Sequence, residues 1–207
     1  MTTQTAKTNT NRTRTNIRKL AVIAMLSALA AVIQLLEIPV PMLIPEFVKL
    51  DFSELPALIA SFVVSPWAGI PVCLVKNLIK LTTTSSAGVG ELANFLIGIF
   101  MVVPAGLIYR HKKTKRSALM ACLAGCLISA AISVFVNYFI SYPVFYRFMA
   151  PEEAVLNAYR AILPSTENIF QALLIFNMPF TFVKMLLDSI ITFAVYKPLS
   201  NALKRVW

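Results

Sequence analysis

Charged side chains are scarce in this chain. Only 14% of its 207 residues are Asp, Glu, Lys or Arg, against about a quarter in ordinary soluble domains. Hydrophobic residues make up 58% and are gathered in long runs. This shortage of charge excludes a mostly hydrated surface and predicts an all-α membrane protein.

Reactive side chains are also few. Cys73, Cys122 and Cys126 lie in apolar runs without a CxxC pair, so neither a disulfide framework nor a zinc site is predicted. The single histidine, His111, lies in a basic loop, which excludes a Ser-His-Asp constellation and gives no reason to expect a metal site. The chain also lacks a GxxxxGK[ST] loop, which excludes ATP hydrolysis by that route.

Acidic residues number nine against nineteen basic ones, which gives a net charge of +10. The basic residues are concentrated in residues 7–19, 110–116 and 197–205, each beside an apolar run. Because Lys and Arg accumulate in cytoplasmic loops, this pattern predicts that both termini are cytoplasmic. It is a topology signal, and no nucleic-acid partner is expected.

Apolar segments predict a six-transmembrane-helix bundle over residues 17–200, between a disordered basic cytoplasmic tail at 1–16 and a cytoplasmic tail at 201–207. The predicted segments are 17–36, 52–64, 70–81, 92–109, 118–140 and 171–196. The second and third are short for a hydrocarbon core of about 30 Å, so full crossings and a re-entrant hairpin both stay open. The prolines in residues 39–45 and 141–168 predict loops.

The last segment carries a polar stripe. Asn177, Thr181, Lys184 and Asp188 follow one another at steps of four, three and four, which places them on one helical face. Because ionisable side chains inside a membrane usually face a cavity, the stripe predicts a binding site. The alternative is a Lys184–Asp188 pair at i, i+4 that only holds the bundle together.

Other segments carry matching polar groups. Asn137 lies in the fifth segment, Glu91 and Asn94 begin the fourth, and Asn77 lies in the third. Convergent polar groups in a bundle interior predict a ligand site. The proline-rich loop with Leu43 is interpreted as a lid, with an ordinary interfacial segment as the alternative.

Small residues form two further stripes. Gly90, Gly98 and Gly106 in the fourth segment predict the close approach of another helix. Ala24 and Ala28 in the first segment likewise suit close packing, either inside the bundle or against a partner protein.

Five short motifs, in this order, resemble the riboflavin-specific substrate-binding (S) subunits of energy-coupling factor (ECF) transporters. They are KLDFSELP at 49–56, Lys76-Asn77, GELANF at 90–95, Asn137-Tyr138 with Pro143 and Tyr146, and Pro179-Phe180 with Lys184. The resemblance covers nearly the whole chain, and it includes the Ala24-x-x-x-Ala28 spacing that in this family docks on the transmembrane coupling subunit.

The resemblance implies a subunit of a bacterial cell membrane that binds riboflavin from outside. It implies a transmembrane coupling (T) subunit and two ATPase (A) subunits as partners, with riboflavin as the transported substrate and no cofactor. Asn137 and Lys184 would bond the pyrimidine edge of the flavin, and Thr181 stands where the family commonly has Asn. The expected substrate-binding residues are Asn137, Lys184, Thr181, Asn94, Glu91, Asn77, Lys49 and Leu43.

Three alternatives stay open from the sequence. The first is an S subunit for another vitamin or for flavin mononucleotide, whose phosphate would find basic residues such as Lys49 and Lys80. The second is a small intramembrane enzyme that uses Glu91 or Asp188 as acid or base. The third is a purely structural membrane subunit whose polar stripes join its helices.

Overall fold

The computed structural model describes the backbone of residues 2–204 and the side chains of residues 16–195. This part of the chain is mostly helical. Its α-helices are α1 (Thr2–Leu35), α2 (Glu54–Val63), α3 (Gly69–Lys80), α4 (Val89–His111), α5 (Lys115–Val136), α6 (Tyr142–Phe148), α7 (Glu152–Arg160), α8 (Ile169–Ala172) and α9 (Met178–Lys204). Two short strands, β1 (Ile38–Pro39) and β2 (Lys49–Leu50), pair antiparallel and close the loop after α1.

Four helical stretches of the described chain are long and apolar enough to cross a bilayer. They are Asn16–Leu35, Val89–His111, Lys115–Phe148 and Ile169–Val195. Helices α2 and α3 have only 10 and 12 residues, fewer than the roughly 20 needed for a full crossing. A helical membrane architecture is therefore confirmed, while the count of six crossings and the orientation of the termini stay predictions.

The backbone of α1 is already helical at Thr2, within the stretch predicted as a disordered tail. The side chains before Asn16 lie outside the described residues, as do residues 205–207. The two predicted tails, 1–16 and 201–207, therefore stay predictions.

Helix α2 lies at the centre of the bundle. Every residue from Glu54 to Phe62 is buried, and the helix packs against α1, α3, α4 and α9. A helix that is enclosed on all sides needs no polar face. Helix α2 is about 15 Å long. Its first turn places the charged Glu54 in the bundle interior.

Close packing around α2 depends on glycines of α4. A Cβ atom at Gly106 would lie 2.8 Å from Cα of Pro66, and one at Gly98 would lie 3.3 Å from Oε1 of Glu54. The close approach predicted from the glycine stripe is thus confirmed at these two positions. At the third position, Gly90, a Cβ would meet only the Ser86 side chain.

The loop predicted over residues 141–168 is wrong in part, since α6 and α7 occupy much of it. The chain passes from α5 into α6 through a π-helical turn at Asn137–Ser141, two residues before Pro143. Proline lacks an N–H and its ring collides with the carbonyl four residues earlier in an α-helix. A wider π turn relieves that conflict, so the helix continues where the proline predicts a break.

The same arrangement precedes α9. A π-helical turn at Leu173–Asn177 lies directly before Pro179. Each π turn carries a candidate site amide, Asn137 at the start of one and Asn177 at the end of the other. Because π turns shift the helix face, both prolines help to set where these amides point.

Replacing Gly106 by alanine is expected to destabilise the protein, by about 1–3 kcal/mol for an overpacked contact. The added Cβ meets the backbone of Pro66, which cannot rotate away. Gly90→Ala is the matched control because its contact is the end of a serine side chain. Unfolding by SDS in mixed micelles, followed by circular dichroism, measures both variants, and equal stability of the two would contradict the packing argument.

Candidate ligand-binding site

One cavity collects most of the polar side chains that the sequence singles out. Its volume is about 170 Å³, and it lies between α1, the loop of residues 36–53, α3, α4, the α5–α6 turn and α9. Its polar lining includes Gln34, Glu37, Lys49, Asp51, Lys80, Glu91, Asn94, Asn137, Asn177, Thr181 and Lys184. The wall is completed by apolar and aromatic groups that include Phe47, Tyr142, Phe145, Phe180 and Met185.

Six of the eight predicted binding residues line this cavity. They are Asn137, Lys184, Thr181, Asn94, Glu91 and Lys49. The other two do not. Asn77 is buried, and its amide donates a hydrogen bond to the carbonyl of Cys73 four residues earlier. Leu43 is 65% exposed on the loop after α1. The role of all eight in binding stays a prediction.

Lys184 is held by carboxylates from distant parts of the chain. Its Nζ lies 2.8 Å from Oδ2 of Asp51 and 3.4 Å from Oε2 of Glu54. It also lies 3.5 Å from Oδ1 of Asn94. These contacts fix the ammonium group at the cavity wall and tie α9 to α4 and to the start of α2.

The charge network continues behind the cavity. Lys76 Nζ lies 2.5 Å from Oε1 of Glu54 and donates at 2.5 Å to Oγ of Ser53. Ser53 in turn donates through its backbone N–H and its hydroxyl to Oδ1 of Asp51. Hydrogen bonds and ion pairs therefore join five residues in a closed circuit: Lys184, Asp51, Ser53, Lys76 and Glu54.

Asp51 lies between β2 and α2, outside the spanning helices. Burial by itself would raise the pKa of its carboxyl group. The ammonium groups of Lys184 and Lys76 outweigh that effect and hold the pKa below its ordinary value. Asp51 is therefore ionised at neutral pH and stays a partner for Lys184.

The Lys184–Asp188 pair, considered as a structural alternative, is not what the structure shows. Lys184 is engaged by Asp51 and Glu54 instead. Asp188 is fully buried one turn farther along α9, and its two carboxylate oxygens have no hydrogen-bond partner among the described residues. The local i, i+4 spacing permitted the pair, but a carboxylate from the loop reaches the lysine more directly.

Two tyrosines complete the other side of the cavity. Tyr159 donates a 2.6 Å hydrogen bond to Oδ1 of Asn177, and its hydroxyl also bonds that of Tyr142. The ring of Phe47, from the loop after α1, packs against Tyr142, Phe145 and Tyr159 with centroid distances of 6.4, 5.6 and 6.1 Å. This aromatic cluster fastens the loop over the cavity.

Beside the loop, two lysines share one carboxylate. Nζ of Lys49 and Nζ of Lys80 lie 2.5 Å and 2.9 Å from the same oxygen, Oε1 of Glu37. Glu91 accepts hydrogen bonds from Thr84 and Ser86 at 2.9 and 3.1 Å. This end of the cavity is therefore charged, and each of these charged groups has a partner within the protein.

Several lining residues were not predicted as site residues. Asp51 lies within the first quoted motif, and Asn177 lies on the polar stripe, so a signal for both was present. Gln34 and Glu37 are isolated polar residues at the end of the first apolar run, which is itself a detectable signal. Phe47 belongs to the apolar part of the loop that is interpreted as a lid, whereas Tyr142 carried no signal, because aromatic residues are common in any membrane segment.

A polar cavity between the helices of a membrane protein is typical of the class of small-ligand-binding membrane proteins. The model of the family described as "ECF transporter, substrate-specific component" matches residues 18–196. The chain belongs to this family, and it is accordingly a transporter component and not an enzyme.

Individual proteins agree with this assignment. The chain is 32% identical over 189 residues to the riboflavin transporter RibU of Staphylococcus aureus (strain TCH60), covering 91% of this chain and 94% of that protein. It is 36% identical over 110 residues to the riboflavin transporter FmnP of Bacillus subtilis (strain 168), covering 52% and 57%. Its fold matches the solved S component of a bacterial ECF transporter with a TM-score of 0.71 and 29% identity, over 91% of this chain and 99% of that one.

Replacing Lys76 by methionine is expected to lower the free energy of unfolding by about 3–5 kcal/mol, since the buried Glu54 loses its hydrogen-bonded ion-pair partner and keeps only Lys184, at 3.4 Å. The double variant Glu54→Gln/Lys76→Met is expected to recover part of that loss, because no carboxylate is then left unpaired. SDS unfolding in mixed micelles measures both, with Lys113→Met in the exposed turn after α4 as the control. A Lys76→Met protein as stable as the control would contradict the role given to the network.

Proposed function

We propose that this chain is the riboflavin-binding subunit of an ECF-type vitamin importer. The observation that carries the proposal is the meeting of Asn137, Thr181 and Lys184 in one cavity of an S component whose relatives are riboflavin transporters. These three side chains come from two helices and face the same space.

The chemistry of the cavity suits a flavin ring. The pyrimidine edge of the ring offers carbonyl acceptors and one N–H donor. Lys184 supplies donors to the carbonyls, and the amide of Asn137 can both donate and accept. Aromatic and apolar groups such as Tyr142, Phe180 and Met185 line the same space and suit the faces of a planar ring.

Uncharged riboflavin is favoured over flavin mononucleotide. A phosphate would need free cations, and Lys49 and Lys80 line the cavity as candidates. Both already contact Glu37, whose carboxylate would repel a phosphate placed between them. Glu91 and Gln34 line the same end of the cavity, and neither makes a hydrogen bond or ion pair with a lysine among the described residues.

Membership of the family supports a proposal for the membrane arrangement and the partners. We propose a multi-pass protein of the bacterial cell membrane with six crossing segments, α2 and α3 included, and with both termini in the cytoplasm. A transmembrane coupling subunit and two ATPase subunits would drive uptake. Ala24 and Ala28 are both exposed on α1, next to the exposed Met25 and Leu29. This exposure supports a docking face for a partner on that side of the helix.

Titration of purified protein with riboflavin, followed by quenching of flavin fluorescence, tests the substrate. Binding with one-to-one stoichiometry is expected. Asn137→Ala is expected to weaken binding by about 0.5–1.5 kcal/mol, as for one neutral hydrogen bond, and Lys184→Met by about 1.5–3 kcal/mol, as for one with a charged donor. Asn137 makes no side-chain hydrogen bond to the described residues, so its variant should fold normally.

Asn157→Ala and Lys113→Met are the matched controls, because both residues are exposed and neither lines the cavity. A well-folded wild-type protein that does not bind riboflavin would overturn the substrate assignment. Tighter binding of flavin mononucleotide than of riboflavin would make flavin mononucleotide the substrate. Normal riboflavin binding by Asn137→Ala and Lys184→Met would instead overturn the site.

The docking face has its own test. Ala24→Leu/Ala28→Leu is expected to reduce co-purification with the coupling and ATPase subunits while leaving riboflavin binding unchanged, because larger side chains prevent close helix packing. Val32→Leu, at an exposed position of the same helix, is the control. Full assembly of the double variant would show that this stripe is not the docking face.

A further inference from the structure

Gln34 occupies an unusual position at the end of α1. Its side chain is 98% buried, it lines the cavity, and its Oε1 has no hydrogen-bond partner among the described residues. A buried amide oxygen without a partner is costly, on the order of 1–3 kcal/mol. Such a group therefore indicates a partner that arrives from outside the chain.

The orientation of this amide is fixed by the helix behind it. The carbonyl of Cys73 can only accept, so the amide of Asn77 must place its Nδ2 there, at 2.8 Å. Oδ1 of Asn77 then faces Gln34 and accepts from its Nε2, also at 2.8 Å. Rotating either amide by half a turn would oppose two donors or two acceptors, so Oε1 of Gln34 points away from Asn77.

The two carboxylates at this end of the cavity are each engaged through one oxygen, Oε1 of Glu37 and Oε2 of Glu91. Glu37 holds Lys49 and Lys80, and Glu91 holds Thr84 and Ser86. The carbonyl oxygen of Gln34 differs from these carboxylates because it is fully buried and has no partner among the described residues. An anion or a carbonyl placed there would meet like partial charges, whereas a hydroxyl group would donate to it.

We propose that Gln34 is a specificity-determining residue that accepts a hydrogen bond from a hydroxyl group of the bound ligand. Asn77 is a positioning residue that sets the direction of the Gln34 amide and does not touch the ligand. The inference rests on the proposed function: with the flavin ring at Asn137 and Lys184, the hydroxyl belongs to the ribityl chain. This assigns Asn77 a role that agrees with its place outside the cavity.

Two ligands with the same ring separate this role from a structural one. Riboflavin carries the ribityl chain, and lumiflavin has a methyl group in its place. Gln34→Met keeps the length of the side chain and removes its acceptor. It is expected to weaken riboflavin binding about 3- to 10-fold, the size of one neutral hydrogen bond, and to change lumiflavin binding less than 2-fold. Asn77→Leu is likewise expected to weaken riboflavin binding more than lumiflavin binding.

Asn137→Ala is the comparison variant, since a ring contact should weaken both ligands equally. Riboflavin analogues that lack single ribityl hydroxyls give a second measurement. One of these analogues is expected to bind the wild type more weakly than riboflavin does. The same analogue is expected to bind Gln34→Met as tightly as riboflavin does. Gln34→Ala replaces the methionine variant if that protein does not fold.

Equal weakening of riboflavin and lumiflavin binding by Gln34→Met would overturn the proposal. So would a result in which the effect of Gln34→Met adds to the effect of removing each ribityl hydroxyl group. A wild-type protein that binds neither flavin would overturn the proposed function itself and the inference with it. Riboflavin binding by the wild type with no selective effect at Gln34 would overturn the inference alone.

Discussion

The buried circuit of charges that joins Lys184, Asp51, Ser53, Lys76 and Glu54 is the constraint on which the site depends. Its charges lie in a low-dielectric interior, where each is tolerated only because a partner is in contact. Its members come from α9, from the loop after β2, and from α2 and α3. Holding them together fixes the loop against the bundle and places one ammonium group at the cavity wall, without leaving that group free to move.

Two prolines give the binding residues their direction. Pro143 and Pro179 each follow a π turn, and each π turn contains an amide that faces the cavity, Asn137 or Asn177. The wider turn is a local cost to regular helix geometry. It persists here because tertiary packing around Tyr142 and Tyr159 secures both turns. The irregular backbone therefore lies where the helices border the cavity.

The cavity has two chemically different ends. Around Asn137 and Lys184 it offers a cation, amides and aromatic walls, which suit a flat heterocycle with carbonyl groups. Around Gln34 and Glu37 it offers acceptor oxygens and two lysines that share one carboxylate, which suit a chain of hydroxyl groups. The proposed ligand, riboflavin, has a planar polar ring and a hydroxylated chain, which match these two ends. The loop fastened by Phe47 forms one wall of that space.

The sequence by itself determined the membrane class, the family and the polar face of α9, because apolar runs, short ordered motifs and a 3.6-residue period are local properties of the chain. It also identified six of the residues that line the cavity. It misplaced the helix over residues 142–148, since a proline alone does not reveal the π turn that accommodates it. Which carboxylate pairs with Lys184 was decided only by the tertiary structure: Asp188 is close in sequence, but packing brings Asp51, 133 residues away, into contact. A buried ammonium group binds the carboxylate that the fold places within reach, and helical spacing alone cannot specify that distance.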